Sequence, residues 1–304
     1  MTARAVFTAV LRITVTALLL AWVLSREEVR QGLRSAEFQH PWWLVVAISC
    51  GGVAALFAAW RWHACLRACE CPLPFVTVLR ISLAGNAAGL LSVGTLGEDA
   101  VRVALAAKHL PERKRALLAS VALDHVSAIP VMVVVGALIV GSVGLSTSVN
   151  RATWITVGVS IAAFMGVGLW LRFFRPQLHD RILSYVKKCL FSPGAATAMV
   201  ISVPLVLLYH GIFWCAASAL PLPAPPFGVF SAFVVADTVA ALPVTVAGLG
   251  VREKSIELLL HKWYGVAPAL SVKASLTGVA ILALWAAVGA ACLPLRSVKQ
   301  TLQP

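Results

Sequence analysis

The residues best suited to chemistry in this sequence are ionisable side chains that lie in or beside long apolar stretches. A charged group in an apolar setting is costly, and it is retained where it binds a ligand, pairs with another charge or carries a proton. Arginine binds a phosphate group through two parallel N–H groups, whereas a carboxylate suits an ammonium or a hydroxyl group. The candidates for substrate binding are Glu98, Asp99, Arg102, Asp124, Asp237, Arg252 and Glu253.

Arg252 and Glu253 directly follow Leu249-Gly250, where the sequence predicts the start of a helix. The free N–H groups of a helix N-terminus and a neighbouring guanidinium together suit a phosphodiester. Glu253 is expected to pair with Lys254, with Arg252 or with an amine of the substrate. This segment is the sharpest candidate site in the chain.

Glu98, Asp99 and Arg102 form a second candidate site. If residues 98–108 are helical, both carboxylates can reach Arg102, because side chains three and four residues apart share a helix face. The alternative is a self-paired charge cluster at a helix start, where acidic residues suit the helix dipole.

Asp124 and Asp237 lie inside apolar stretches and need partners from elsewhere in the chain. Asp124 precedes His125, and the pair could relay protons or bind a distant base, although adjacent side chains on a helix point about 100° apart. Asp237 has no base nearby in sequence, and Arg252, Arg102 and Lys273 are its candidate partners.

The composition indicates which elements must position these residues. The chain has 304 residues, of which 60% are apolar and 12% are charged. This balance excludes a disordered chain and argues against a soluble domain, and it predicts an all-α, polytopic membrane helix bundle that forms a single domain over residues 1–304. A β-barrel is disfavoured, because the apolar residues form long runs and do not alternate.

About eight apolar stretches are long enough to be membrane segments. They cover residues 5–24, 42–60, 75–94, 116–141, 152–171, 195–219, 227–247 and 269–293. The first resembles a signal peptide but lacks a small-x-small cleavage site, and we expect an uncleaved transmembrane helix. Residues 25–41 and 61–74 are expected to be charged or proline-containing breaks. Four tryptophans bracket the second stretch as interfacial aromatics do, namely Trp42, Trp43, Trp60 and Trp62.

Two similar glycine breaks occur in the two halves of the chain. Residues 93–102 interrupt the third stretch and residues 246–254 follow the seventh, and each break runs into acidic and basic residues. Such repeats in a transporter mark broken helices that face each other, so the pattern predicts two re-entrant segments in inverted halves. The distribution of Lys and Arg fits both this arrangement and eight simple spans. We favour the hairpins, because glycines and paired charges sit where a simple span should be apolar.

The net charge of +13 comes from 25 basic and 12 acidic residues. The basic segments 108–115 and 172–188 lie between apolar stretches, which favours an anionic lipid surface or a partner enzyme. No aromatic-interleaved basic patch supports nucleic-acid binding. The spacing of His63, Cys65, Cys69 and Cys71 matches no usual zinc site, so no metal is predicted. No nucleotide-binding or hydrolase motif is present, and we expect neither an enzyme nor a cofactor.

Several of these segments resemble the lysylphosphatidylglycerol synthase transmembrane region family, a flippase-like membrane domain. Residues 83–86 with 94–102 resemble its Asn…Pro-Gly-x-Gly-Gly-Asp-x-x-Arg element. Residues 122–125 resemble its Asp-Arg element, and residues 242–253 match its Pro-x-Ser/Thr-x-x-Gly-Leu-Gly-x-Arg-Glu element most closely. The chain departs from the family pattern before Gly94, where the proline is absent, at Glu98 in place of a glycine, and at His125 in place of an arginine.

The resemblance implies a bundle with re-entrant segments that moves or handles lipids. In fused family members this region translocates an aminoacylated phospholipid that a separate soluble domain makes, and we expect a stand-alone member here, without synthase activity. The first hypothesis is a flippase that moves an anionic or aminoacylated phospholipid, or a related lipid-linked substrate, between leaflets of a bacterial-type cell membrane. The alternative is a non-transporting subunit that docks a lipid- or glycan-modifying enzyme. An integral-membrane lipid transferase is a weaker third hypothesis.

Overall fold

The computed structural model of the chain describes residues 21–91, 95–142, 191–240 and 249–291, together with residues 14, 18, 172 and 173. All regular structure in these ranges is helical, as the sequence predicts. The predicted apolar stretch 152–171 lies outside the described residues, as do most of stretch 5–24 and the glycines Gly94 and Gly248.

Nine helices are described, and four contain segments that are long and apolar enough to cross a membrane. The helices are α1 Glu27–Ser35, α2 Trp42–Ala68, α3 Phe75–Leu91, α4 Thr95–His109, α5 Lys114–Ser142, α6 Pro193–Ser218, α7 Pro226–Ala240, α8 Val251–Tyr264 and α9 Pro268–Ala291. The four candidate spans are Trp42–Ala68, Pro111–Met132, Pro193–Ser218 and Pro268–Ala291. They coincide with the second, fourth, sixth and eighth predicted stretches, so the chain is a multi-pass membrane protein.

The third and seventh stretches instead form one short helix each, α3 and α7, and a second short helix, α4 or α8, follows each glycine break. Helix α3 has 17 residues and α4 has 15, so neither exceeds about 25 Å in length, less than the hydrocarbon core of about 30 Å. The two helices pack against each other on either side of a short connection, and α7 and α8 do the same. Each pair is therefore a helical hairpin, as the glycine breaks predict.

The nine helices contain two similar units of opposite orientation. Helices α2–α5 follow the order long, short, short, long, and helices α6–α9 repeat it. Each packing contact within or between the units has its counterpart under exchange of α2 with α6, α3 with α7, α4 with α8 and α5 with α9.

The equivalent helices α2 and α6 run antiparallel at the centre of the bundle. The backbone N–H of His40, before α2, donates to the carbonyl of Ala219, after α6, over 3.2 Å. At the opposite end, Gly194 of α6 lies against Ala64 and Ala68 of α2. The repeat is therefore inverted, and the two hairpins enter the bundle from opposite ends.

Two breaks expected from the sequence are helical in the structure. Within residues 25–41, Glu27–Ser35 forms α1, because Val29 and Leu33 give it an apolar face that packs on Val272 and Leu276 of α9. Residues 61–68 continue α2, because their polar side chains find partners inside the bundle. Trp62 is fully buried, and its indole N–H donates to the Ser120 hydroxyl over 3.2 Å, so its expected interfacial position was wrong.

Candidate functional site

Asp124 of α5 lies at the centre of the first cluster of buried charges. Its carboxylate accepts two hydrogen bonds from Arg61 of α2, over 2.7 and 3.0 Å, and a third from Arg102 of α4, over 3.3 Å. Arg102 also forms an ion pair with Glu98, one helical turn earlier. Asp124 is 1% exposed and Arg102 is 4% exposed, so the pairing takes place inside the bundle. This cluster ties the first hairpin to both long helices of its unit.

Asp99 does not join this cluster, although the sequence allowed it to reach Arg102. Its carboxylate instead pairs with the Nε2 atom of His125 over 2.7 Å. Asp124 and His125 thus point to different partners, as expected for adjacent residues of a helix. The Asp99–His125 pair is the more accessible part of the first site, because the His125 side chain is 46% exposed.

Close packing fixes the position of the Arg102 side chain. A Cβ atom on Gly85 of α3 would lie 2.9 Å from Cγ of Arg102 and 3.2 Å from Cγ of Glu98. On another side, the guanidinium of Arg102 lies 5.5 Å from the centroid of the Trp62 ring. Glycine at position 85 therefore admits the two charged side chains to the interior of the hairpin.

Asp237 of α7 and Arg252 of α8 form the second cluster, across the second hairpin. The Nε atom of Arg252 donates to the Asp237 carboxylate, so the partner of Asp237 is one of the three bases expected from the sequence. Arg252 also donates to the Tyr209 hydroxyl over 3.3 Å, and its guanidinium lies 5.1 Å from the centroid of Phe213. His210 approaches the other carboxylate oxygen of Asp237 at 3.4 Å.

Glu253 has the contacts of a helix cap. Its carboxylate accepts the backbone N–H of Gly250, which precedes α8, and the Ser275 hydroxyl of α9 over 2.9 Å. It is fully buried and pairs with neither Lys254 nor Arg252, so the expected pairings were wrong. Lys254 instead binds Glu257 over 2.8 Å. The physical reason is that the first N–H groups of α8 have no partner within the helix and need an acceptor.

Lys273, the remaining candidate partner of Asp237, lies elsewhere. Its ammonium donates to the carbonyls of Leu33 and Ala36 at the end of α1. Near the start of the same helix, Arg26 binds Glu257 of α8, with Nη1 to Oε1 at 2.9 Å. These contacts attach α1 to the second unit and separate Lys273 from the charge cluster.

The two clusters lie in the two inverted units of the bundle. The first occupies α2, α4 and α5, and the second occupies α6, α7 and α8. In each cluster a carboxylate binds the arginine that could bind an anion. Arg102 is bound by Glu98 and Asp124, and Arg252 is bound by Asp237. An incoming phosphate would compete with that carboxylate for the guanidinium.

Arg61 and Tyr209 are site residues that the sequence does not predict. Arg61 was assigned to a loop because the second apolar stretch ends at residue 60, whereas helix α2 continues to Ala68. Tyr209 carries no charge and lies in an apolar run, so no sequence signal marks it.

Among the residues that the structure describes, no group of three His, Cys, Asp or Glu side chains is placed to hold a metal ion. Cys65, Cys69 and Cys71 are buried, and each keeps a reduced thiol. Burial raises the pKa of the Cys71 thiol in the loop after α2, and the charge of Arg113 opposes that shift. These cysteines act as small apolar packing residues.

Comparison with known proteins identifies a family that the sequence resembles over nearly its whole length. The sequence profile of the family described as "Lysylphosphatidylglycerol synthase TM region" matches residues 9–295, which is nearly the whole chain. The match contains both hairpins and both charge clusters. No curated protein matches the sequence.

Proposed function

Because the chain belongs to the lysylphosphatidylglycerol synthase transmembrane region family, we propose that it is a lipid transporter of the cell membrane. Its substrate is an anionic or aminoacylated phospholipid, or a related lipid-linked molecule, which it moves between the leaflets. The observation that carries the proposal is a buried arginine–carboxylate cluster in each of two inverted hairpins. Inverted hairpins with sites near the middle of the bundle suit alternating access from the two sides of a membrane.

Arg102 and Arg252 have the chemistry that binds a lipid phosphate. Each guanidinium is held inside the bundle by carboxylates of its own unit, which keeps the cation in place before substrate arrives. A phosphate can replace the carboxylate because both anions accept the same pair of N–H groups. The two sites would bind the headgroup in turn as it crosses.

Asp99 supplies the negative charge that an aminoacylated headgroup requires. Its side chain is 17% exposed and its partner is a half-exposed histidine rather than an arginine. A substrate ammonium can therefore displace His125 at lower cost than it could displace a buried arginine from Asp124. This difference assigns cation binding to Asp99 and a positioning role to Asp124.

The test is lipid translocation in proteoliposomes that contain labelled phosphatidylglycerol, its lysyl derivative or a glycolipid. Arg102→Gln and Arg252→Gln should slow translocation by about tenfold or more, since a hydrogen bond to a charged group contributes about 1.5–3 kcal/mol. The matched control is Arg80→Gln, because Arg80 is an exposed arginine of the first hairpin. Arg252→Gln combined with Asp237→Asn removes the pair without leaving a buried charge. Wild-type translocation no faster than in empty liposomes, for all three lipids, would contradict the proposal.

The second candidate function is docking of a lipid- or glycan-modifying enzyme. It is favoured by the basic segment 108–115, in which Lys114 and Arg115 are exposed at the start of α5 and Arg113 is exposed just before it. Lys114→Gln with Arg115→Gln should abolish lipid modification in cells if docking is the function, and should leave translocation unchanged if transport is. This comparison separates the two candidates with one variant.

A further inference from the structure

His210 on α6 and Asp237 on α7 face each other through two atoms, and neither atom receives a hydrogen bond from a described residue. The Nδ1 atom of His210 lies 2.8 Å from the carbonyl of Val206. A carbonyl only accepts hydrogen bonds, so Nδ1 carries the proton of this contact. The remaining Nε2 atom lies 3.4 Å from Oδ2 of Asp237, and neither atom has a hydrogen bond in the described part of the chain.

This contact is unfavourable unless it contains a proton. With Nδ1 protonated, a neutral imidazole presents the lone pair of Nε2, and an ionised carboxylate presents lone pairs of Oδ2. His210 is 3% exposed and Asp237 is 7% exposed, so water does not cover the two acceptors. A proton on either atom converts the contact into a donor facing an acceptor, and nearly all buried polar groups have such a partner.

We propose that His210 and Asp237 form a buried proton-binding site that holds one proton in this conformation. The coupling described below rests on the proposed transport function, whereas the proton site itself does not. Because the other oxygen of Asp237 is bound by Arg252, a single carboxylate links the proton site to the candidate anion site.

The groups around this pair support a single bound proton. Arg252 binds Asp237 from α8 and also donates to the Tyr209 hydroxyl, and Tyr209 lies beside His210 on α6. The Tyr209 ring lies 5.3 Å from the His210 ring, and the Phe230 ring of α7 lies 6.0 Å from it. On α5, Asp124 and His125 are engaged with Arg61 and Asp99. Two aromatic rings thus pack against His210.

The shared carboxylate makes proton binding and anion binding support each other. A phosphate bound to Arg252 would displace Asp237, which would then lose its counter-ion and gain a neighbouring negative charge. Both changes favour the protonated form of the His210–Asp237 pair. Linkage is reciprocal, so protonation should strengthen binding of the anion by the same factor. Translocation of an anionic lipid would then carry a proton in the same direction.

The proton site is tested first on purified protein in nanodiscs without any transport. Solid-state NMR of ¹⁵N-histidine-labelled protein at neutral pH reports whether the His210 ring is protonated on both nitrogens, and infrared difference spectra report a protonated Asp237 carboxyl. His210→Gln assigns the signal by its loss, and the contact with Phe230 assigns it without a substitution. Either protonated form supports the site. A ring with a bare Nε2 atom beside an ionised Asp237 overturns it.

The coupling is tested by binding of labelled phosphatidylglycerol to the same nanodiscs across a pH series. Wild type should bind more tightly as the pH falls, and His210→Gln should lose this dependence, because its amide donates permanently and does not titrate. The matched control is His261→Gln, since His261 also contacts a backbone carbonyl through Nδ1 but forms no ion pair with a carboxylate in the described part of the chain. A pH dependence that persists in His210→Gln, or is absent in wild type, overturns the coupling.

A second arm separates a bound proton from a donor supplied by the lipid. Lysyl-phosphatidylglycerol carries an ammonium group that could occupy the space between the two acceptors. If the pair is unprotonated without lipid and acquires its donor only with the lysyl derivative, the site binds a cationic headgroup and the proton proposal is wrong.

In proteoliposomes, inward proton movement that accompanies phosphatidylglycerol and is lost in His210→Gln supports coupling. Absence of translocation removes the proposed function and leaves the spectroscopic result to decide the proton site.

Discussion

Asp124 neutralises two guanidinium groups at once, and this arrangement makes it the most sensitive single residue of the first cluster. Arg61 binds it through two hydrogen bonds and Arg102 through a third. Removing one member of a buried ion pair leaves an uncompensated charge, which costs more than the pair itself contributes. A carboxylate with two partners therefore positions the site even though it need not touch substrate.

We expect Asp124→Asn to destabilise the protein by about 3–5 kcal/mol, because Arg61 and the buried Arg102 lose their shared counter-ion. Thermal unfolding in detergent, followed by tryptophan fluorescence, measures the change. The control is Glu112→Gln, which removes an exposed carboxylate just before the same helix and should leave the unfolding temperature unchanged. Equal unfolding temperatures for Asp124→Asn and wild type would show that the arginines do not depend on Asp124.

The sequence identified the charged residues of the two clusters better than it identified their partners. Arg102 pairs with Glu98 as their spacing suggests, and Arg252, one of the three candidate partners of Asp237, pairs with it. Glu253 was misassigned because a cap and a ligand-binding carboxylate look the same in sequence. Its partners are a backbone N–H and a serine from another helix, which only the fold brings together.

The hairpin is the element that turns these charges into a site. Each of its arms is too short to span the hydrocarbon, so its polar residues lie part of the way into the bundle. Backbone at that depth is tolerated only where protein surrounds it. In the first hairpin α3 packs on α4, α2 and α9, which provides that cover.

Gly85 tests how closely the two arms must approach. We expect Gly85→Ala to shift Arg102 away from Asp124, at a cost of about 1–3 kcal/mol for overpacking, because the new Cβ would lie 2.9 Å from Cγ of Arg102. Translocation and the unfolding temperature should both fall. The control is Gly211→Ala on α6, where no atom lies within 4 Å of the new Cβ. There the loss of glycine in a helix should stabilise the protein by about 0.5–1 kcal/mol. Similar effects for both variants would contradict the tight packing of the hairpin.

The glycine breaks allowed both hairpins to be predicted, since glycine beside charge is rare in a simple span. The same reasoning failed for α1. Its charged residues masked an apolar face that is recognisable only once α9 is known to lie beneath it. Periodicity predicts an amphipathic helix, but the choice between a helix and a loop depends here on a partner nearly the full length of the chain away.

The whole molecule is organised around the antiparallel contact of α2 and α6. The first hairpin opens at the end of the bundle where Arg113 donates to the carbonyl of Glu70. The second opens at the other end, where His40 meets Ala219 and Gly228 lies against Tyr264. A lipid headgroup could therefore reach Arg102 from one side of the membrane and Arg252 from the other. A rocking of one unit against the other would change which arginine is accessible.

This organisation fixes a topology that labelling can test. If the two short pairs are re-entrant hairpins, Gln39 and Glu112 lie on opposite sides of the membrane, whereas eight simple spans would put them on the same side. Basic residues are concentrated around Glu112, so the positive-inside rule places that side in the cytoplasm.

In a chain with its native cysteines replaced, we expect an impermeant maleimide added to intact cells to label Gln39→Cys and not Glu112→Cys. Permeabilised cells should show both labelled, which controls for reactivity. Labelling of both positions in intact cells, or of neither, would require simple spans and would remove the inverted hairpins on which alternating access depends.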